Sequence, residues 1–486
     1  MSGRTICFVS SEVAPFSKTG GLADVAGALP KYLSAQGFEV RVFTPLYDSV
    51  DTSSQDFYVV DFLKDINIWM NGESISFTVI TTRIPHSNVD VYFIDCPRLY
   101  HRGSIYTSDA DEYLRYALLS RAALECCQRM GWSPSVIHCN DWQTGLIPLY
   151  LRSVYHWDQI FHDTKTVLTI HNIAYQGVFG SDIVPSLGLA DHVLMFNQSD
   201  LNSGVVNFLK TGITYADVIT TVSDTYAQEI QTEEYGAGLE GLLRRRRNSL
   251  IGIVNGVDYN EWSPERDRLI QYDYSAHDLS GKEKNKQSLL ASLDLSYVPG
   301  VPVLGMVTRL TAQKGIDLFF DILPALLSAH DFRLVVLGSG EEKYESFFNS
   351  IHQQFRHKAC FYRGFQTRLS HMIEAGSDIF LMPSQYEPCG LNQIYSLRYG
   401  TIPVVRKTGG LADTVQPFDP NTGEGTGFVF EHYTPEGLRW GIETALATYY
   451  DREGWRRLML NAMARNYSWE AQVGRYIELY AALGAI

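Results

Sequence analysis

The chain has 486 residues, more than a single hydrophobic core usually serves, which predicts two domains of ordinary size. Its 45% hydrophobic and 19% charged residues exclude a disordered or fibrous chain. A net charge of −14 argues against a nucleic-acid partner, and no apolar run is long enough to cross a bilayer, so no membrane partner is expected either.

The N-terminus passes from Met-Ser-Gly-Arg straight into a β-type run, without the apolar block of a signal peptide. β-type runs follow at 6–10, 40–44, 59–62, 77–81, 91–94, 136–138, 167–170 and 218–222. Helical periodicity marks 111–128 and 142–154 between them. This βαβ alternation predicts a parallel sheet covered on both faces. Seven cysteines without metal-type spacing predict a reducing, cytoplasmic setting, with the vicinal Cys126 and Cys127 packed in the core. The basic run Arg244-Arg245-Arg246-Arg247 reads as the solvated last turn of a helix.

Asn255-Gly256-Val257-Asp258, followed by Ser263-Pro264, is a turn-rich break near a domain boundary. A polar stretch at 273–286 precedes a second series of β-type runs, at 303–307, 333–337, 359–362, 379–382, 402–405 and 427–430. Helical segments at 315–329 and 435–450 accompany them, and 469–483 is amphipathic. The boundaries expected are 1–250 for the first domain, 251–465 for the second and 466–486 for a terminal segment.

The heptapeptide Lys-Thr-Gly-Gly-Leu-Ala-Asp occurs twice, at 18–24 and 407–413, each time after a β-type run. Adjacent glycines between a strand and a helix let backbone approach a ligand and present N–H groups at a positive dipole end. That chemistry suits a phosphate or a sugar hydroxyl. Two such loops suggest two similar halves around one cleft. Polar clusters also follow the predicted strands: His138 to Gln143, His171 to Gly177, Arg309 with Lys314, and Glu387-Pro388-Cys389-Gly390-Leu391. Arg309 and Lys314, five positions apart, are two cations suited to a diphosphate leaving group. Pro388 restricts Glu387 to an extended backbone, and a carboxylate there can stabilise an oxocarbenium-like sugar.

Taken together, the two heptapeptides and these clusters resemble the bacterial glycogen synthase and plant starch synthase family, over essentially the whole chain. The resemblance implies an α/β fold of two Rossmann-like doubly wound parallel-sheet domains facing a central cleft, the GT-B type. It implies a retaining transferase moving glucose from ADP-glucose to the non-reducing end of an α-1,4-glucan, with a UDP-glucose enzyme or a non-catalytic glucan-binding scaffold as alternatives. The N-terminal domain would take the acceptor and the second the nucleotide sugar, with the terminal helix crossing back to the first.

By the same resemblance Glu387 is the leading catalytic carboxylate, Arg309 and Lys314 meet the diphosphate, and Lys18 reaches it from the opposite domain with Gly20 and Gly21 beside it. His171 contacts the donor glucose in a pocket that Asp141 lines. Gly390, Leu391 and Asn392, next to Cys389, meet the distal phosphate and sugar, with Thr408, Gly409 and Gly410 alongside. Phe365 after Gly364 stacks on the nucleobase, where many family members carry Tyr, and Asn255 lines the nucleotide pocket. Cys389 reads as a structural thiol. No cofactor and no metal is expected. The resemblance also admits the plastid stroma for a plant-type enzyme. Oligomeric state stays open.

Overall fold

The computed structural model describes residues 4–53 and 56–485. Residues 1–3, at the start expected to carry no leader, lie outside the described residues. The chain divides into two compact units: unit 1 holds residues 1–222, 227–256 and 469–486, and unit 2 holds 223–226 and 257–468.

Unit 1 is built on strands β1 (Thr5–Val9), β2 (Glu39–Pro45), β3 (Tyr58–Val59), β4 (Ile66–Met70), β5 (Glu73–Arg83), β6 (Asp90–Asp95), β7 (Val136–Asn140) and β8 (Lys165–Ile170). A small antiparallel pair, β9 (Val178–Gly180) and β10 (Val205–Asn207), stands apart, and β11 (Val218–Thr221) and β12 (Leu250–Gly252) complete the main sheet. Its order is β12-β11-β8-β7-β1-β2-β6-β5-β3, with β4 on β5. From β12 to β6 every pairing is parallel. The run Ile6 to Val9 is fully buried, as expected for a strand covered on both faces.

Beyond β6 the sheet turns antiparallel, a hairpin edge that the expected all-parallel sheet lacks. β4 has no counterpart among the expected strands, although Ile66, Ile68 and Met70 point inward while Asn67 and Trp69 face out in strict alternation. Conversely, the expected strand at 59–62 shrinks to two residues and a 3₁₀ turn. Tyr58, Val59 and Phe62 stay exposed, so no buried face holds it as a strand.

Unit 2 carries β13 (Val303–Leu310), β14 (Arg333–Gly340), β15 (Ala359–Arg363), β16 (Ile379–Met382), β17 (Ile402–Arg406) and β18 (Phe428–Phe430) in the parallel order β15-β14-β13-β16-β17-β18. Alternate residues divide between two cores. Val303, Val307, Val335 and Leu337 face one, and Leu304, Met306, Leu334 and Val336 the other. Both faces are therefore covered, which makes the sheet doubly wound.

Several expected elements break where local chemistry demands it. The helix expected at 142–154 is a 3₁₀ turn, Trp142–Thr144, then the helix Ile147–Arg152. Between them Gly145 is pressed to the Phe208 carbonyl oxygen, where a Cβ would lie 2.5 Å away. The helix expected at 315–329 restarts at Leu323–Ala329, with Pro324 in its first turn. The polar stretch at 273–286 leads into the helix Ser280–Ser292, in which Lys282 and Lys286 are buried. Lys282 donates to Thr401 Oγ1 at 2.7 Å, and Lys286 pairs with Asp378 at 2.9 Å. In the basic run Arg244, Arg245 and Arg247 are exposed, but Arg246 turns inward. It donates to the carbonyls of Ile213 at 2.6 Å and Ala216 at 2.7 Å, capping the helix Phe208–Tyr215. Cys126 and Cys127 are buried free thiols.

The boundary expected at 250/251 falls inside β12, whose pairing with β11 keeps residues up to 256 in unit 1. The helix Trp469–Ala482 also belongs to unit 1. Trp469 stacks on Tyr32 at 6.3 Å between ring centres, and Tyr480 OH meets the buried His138 Nδ1 at 2.8 Å.

Candidate active site

Each sheet has a topological switch point, where successive strands are laid down in opposite directions, and ligands of such sheets gather at the carboxyl ends of strands there. In unit 2 the switch lies between β13 and β16. The loop after β13 carries Lys314 and the loop after β16 carries Glu387. Lys314 Nζ lies 2.5 Å from Glu387 Oε2, and the same oxygen accepts Ser384 Oγ at 2.9 Å. Both side chains are mostly buried, at 15% and 8% exposure.

These loops are clamped by close backbone contacts. Gly315 has φ +72°, and a Cβ on it would lie 2.0 Å from the Pro383 carbonyl oxygen. The Gln385 amide donates to the Gln313 carbonyl at 2.8 Å. From the third side, after β17, comes the second heptapeptide. A Cβ on Gly409 would lie 2.0 Å from Glu387 O, and one on Gly410 1.9 Å from Cys389 O. The Gly410 amide donates to the Glu387 and Pro388 carbonyls at 3.0 and 3.1 Å. These glycines therefore serve the approach of one loop to another, and the amide expected to face a ligand is already engaged. The helix that follows is only Gly409–Thr414.

Other expected residues of unit 2 fall around this centre. Arg309 is exposed near the end of β13. Gly390 has φ +71°, and Cys389 is buried as a structural thiol would be. Leu391 is the residue before the helix Asn392–Tyr399. Asn392 Nδ2 donates to the Val307 carbonyl at 2.6 Å, which ties the start of this helix to β13. Thr408 is fully buried. Gly364, at φ +113°, turns the chain after β15 and leaves Phe365 72% exposed.

In unit 1 the switch lies between β1 and β7. Asn140 ends β7, and its Nδ2 donates to the Val9 carbonyl at 3.0 Å, which turns Oδ1 toward His171 Nε2 at 2.9 Å. That nitrogen must carry the proton, leaving Nδ1 as an acceptor. Burial lowers the imidazole to about 3, so the ring is neutral near pH 7. Asp141 has φ +56°, strained for a non-glycine residue, and its Oδ1 accepts the His171 amide at 2.7 Å. Burial raises its carboxyl to about 7, against the pull of the His171 and Asn172 amides. Gly177, at φ +63°, lies against the Trp142 ring, where a Cβ would come within 2.3 Å. Asn255 is buried, and its Oδ1 has no hydrogen-bond partner among the described residues.

The first heptapeptide differs from its twin. A Cβ on Gly20 would meet nothing within 4 Å, and Gly21 starts the helix Gly21–Ala35. Lys18, half exposed, pairs with Asp24 at 2.6 Å. The Thr19 and Gly20 amides, expected to be free for a ligand, are taken by the carboxylate of Glu12. Glu12 and Ser384 are absent from the residues that the sequence singles out, and Asn140 enters only as a member of the cluster 138–143, with no role of its own. Glu12 and Ser384 are signalled only by nearness to Lys18 and Glu387, and Asn140 by its place between His138 and Asp141.

The family description "Starch synthase catalytic domain" matches residues 5–245, and "Glycosyl transferases group 1" matches 297–458. The chain is 44% identical over 479 residues to a glycogen synthase of Koribacter versatilis, covering 98% of this chain and 97% of that one. It is 42% identical to a glycogen synthase of Thermotoga maritima, covering 98% of each. The catalytic domain of starch synthase IV from Arabidopsis thaliana, bound to ADP and acarbose, superposes with a TM-score of 0.91 at 33% identity, each chain covered in full. A sucrose-phosphate synthase from Thermosynechococcus elongatus shares the fold at a TM-score of 0.61, 18% identity and 99% coverage of each chain. With two doubly wound sheets of the GT-B type and full-length likeness to such enzymes, the chain belongs to the glycogen synthase and starch synthase family of glycosyltransferases.

Proposed function

We propose that the protein transfers glucose from ADP-glucose to the non-reducing end of an α-1,4-glucan with retention at the anomeric carbon. The observation that carries the reading is the buried Lys314–Glu387 pair at the switch point of unit 2, which sets a cation and a carboxylate side by side. Breaking the bond from C1 to the diphosphate leaves negative charge on the leaving group and positive charge on the sugar. Lys314 and Arg309 suit the first and Glu387 the second. A new bond forms from C1 to the glucan hydroxyl oxygen, while ADP departs with the bonding pair and its freed phosphate oxygen takes up the hydroxyl proton.

The other residues have parts in the same reading. Phe365 offers an exposed ring for the base, beside Gly364, and Asn255 an unpartnered acceptor for the nucleotide. Cys389, Gly390, Leu391 and Thr408 shape the loops around Glu387. In unit 1, Lys18 is the cation offered to a phosphate, and His171 with Asp141 forms the corner for the glucose. The diphosphate is met by the chain's own cations, so no metal is included. The ADP bound to the Arabidopsis starch synthase IV supports adenine as the base.

The test is incubation with glycogen and radiolabelled ADP-glucose or UDP-glucose in parallel. Label entering polymer from ADP-glucose, and lost in Glu387→Gln, is expected. Preference for UDP-glucose would overturn the donor, and no incorporation from either would overturn the synthase reading.

A further inference from the structure

Glu12 lies just past β1 in unit 1 and is 2% exposed. Both its oxygens are engaged. Oε2 accepts the Thr19 amide and, at 3.4 Å, the Gly20 amide. Oε1 accepts Thr19 Oγ1 at 2.6 Å and Tyr106 OH at 2.5 Å. Tyr106 OH also meets Ser11 Oγ at 2.9 Å, which ties the loop around residue 106 to the same carboxylate. The amides at the start of a long helix form a ready anion site. Here the two amides just before the helix Gly21–Ala35, those of Thr19 and of its N-cap Gly20, are taken by a carboxylate of the chain itself, and Gly20 has no side chain with which to cap the helix. Lys18, with its neighbours Thr19 and Gly20 so fastened, is the one cation of this loop left half exposed, at 53%.

We propose that Glu12 is a positioning residue for Lys18: its buried carboxylate replaces a ligand phosphate at the glycine loop, so that the loop presents the Lys18 ammonium, and not its amides, to the donor. The inference rests on the reading of Lys18 as a donor-binding cation. Two side chains share the task. Glu12 sets the backbone on either side of Thr19, the residue after Lys18, and Asp24 steadies the ammonium at 2.6 Å. A carboxylate suits the role because it accepts two amides and two hydroxyls at once, whereas a neutral glutamine must turn its NH₂ toward one of those donors.

The experiment compares Glu12→Gln, Glu12→Ala, Lys18→Ala and the double variant Glu12→Gln/Lys18→Ala. Kinetics use ADP-glucose with glycogen, and deuterium exchange follows the peptide over residues 10–24. Glu12→Gln is expected to lose amide protection there and to lower kcat/KM for the donor roughly 10-fold or more, as a misplaced charge partner does. In the Lys18→Ala background the same change is expected to cost nothing further, since residues acting as one unit are non-additive. A purely structural role would instead add its cost in both backgrounds. Additive losses, or unchanged exchange in Glu12→Gln and Glu12→Ala, would overturn the inference and leave Lys18 in place. Parental kinetics in Lys18→Ala would overturn the reading of Lys18, and the inference with it.

Discussion

Lys314 Nζ and Glu387 Oε2 lie 2.5 Å apart across 73 residues of sequence, so the cation expected at a leaving group is first of all the partner of the carboxylate proposed to act in catalysis. The two roles are compatible because an ammonium has three donors. One engages Glu387, and the others remain for a phosphate oxygen. On the proposed reading, the pair couples the charges that must separate during transfer.

Removing one partner strands the other. Lys314→Ala is expected to destabilise unit 2 by about 3–5 kcal/mol, the cost of a buried charge left alone. Turnover should drop roughly 10²–10³-fold. Adding Glu387→Gln to that variant should restore the melting temperature without restoring turnover. Calorimetry and glucose incorporation on the three proteins decide it, and an unshifted melting temperature in Lys314→Ala counts against a structural pair.

Glu387→Gln alone keeps shape and most hydrogen-bonding capacity. Donor affinity, measured by titration calorimetry with ADP-glucose, should survive while turnover falls by orders of magnitude, the pattern of an interaction made in the transition state. Lost affinity with normal turnover would make Glu387 a binding residue only.

The twin heptapeptides allow a matched comparison. Gly20→Ala meets nothing within 4 Å at φ −157°, whereas Gly409→Ala, at φ +42°, would place its Cβ 2.0 Å from Glu387 O. The first should cost at most about 1 kcal/mol, the preference of an N-cap for glycine over alanine, since its Cβ meets nothing. The second should displace the Glu387 loop and abolish turnover. Urea denaturation and glucose incorporation on both variants check the contrast, and equal effects would refute it.

Asp141 makes stability depend on pH in a direction that can be worked out. Burial raises its folded value to about 7, so the folded protein holds this proton more tightly than the unfolded chain. Its contribution is complete below the unfolded value of about 3.9 and is lost as pH rises through about 7. His171 and His138, both lowered to about 3 by burial, act oppositely: their contribution is present above about 6.5 and lost as pH falls. Comparing the parent with Asp141→Asn cancels the histidines. Parent stability relative to the variant should fall between pH 4.5 and 7, by at most about 1.4 kcal/mol per pH unit, and level off above. A flat difference in urea denaturation across that range would contradict the assignment.

Tyr480→Phe removes one hydroxyl and leaves His138 Nδ1 buried without its partner at 2.8 Å. The expected loss is about 1–3 kcal/mol. Deleting the helix Trp469–Ala482 also uncovers the face that Trp469 and Tyr32 share, and should unfold unit 1 as judged by near-ultraviolet circular dichroism. A truncated chain with an unchanged spectrum would show that unit 1 is complete without the helix.

The sequence by itself determined the α/β class, the parallel strands of both sheets except β12, the repeated glycine loop and the Glu-Pro-Cys-Gly-Leu cluster. It could do so because apolar runs buried on two faces, and glycines beside strands, are local patterns. The tertiary structure decided what those patterns are used for. Lys407 and Lys18 stand in identical heptapeptides, yet the first pairs with Glu431 and the second with Asp24. Gly410 donates to the backbone of the Glu387 loop, whereas Gly20 donates to the Glu12 carboxylate. Asp413 accepts Thr225 Oγ1 and its amide, a partner that no spacing reveals. Lys282 and Lys286 belong to a stretch that reads only as polar, yet they are buried, because Thr401 and Asp378 meet them from just before β17 and β16. Hydrogen bonds and ion pairs act over about 3 Å, and which residues come that close depends on how the sheets order their strands rather than on the residues alongside in the chain.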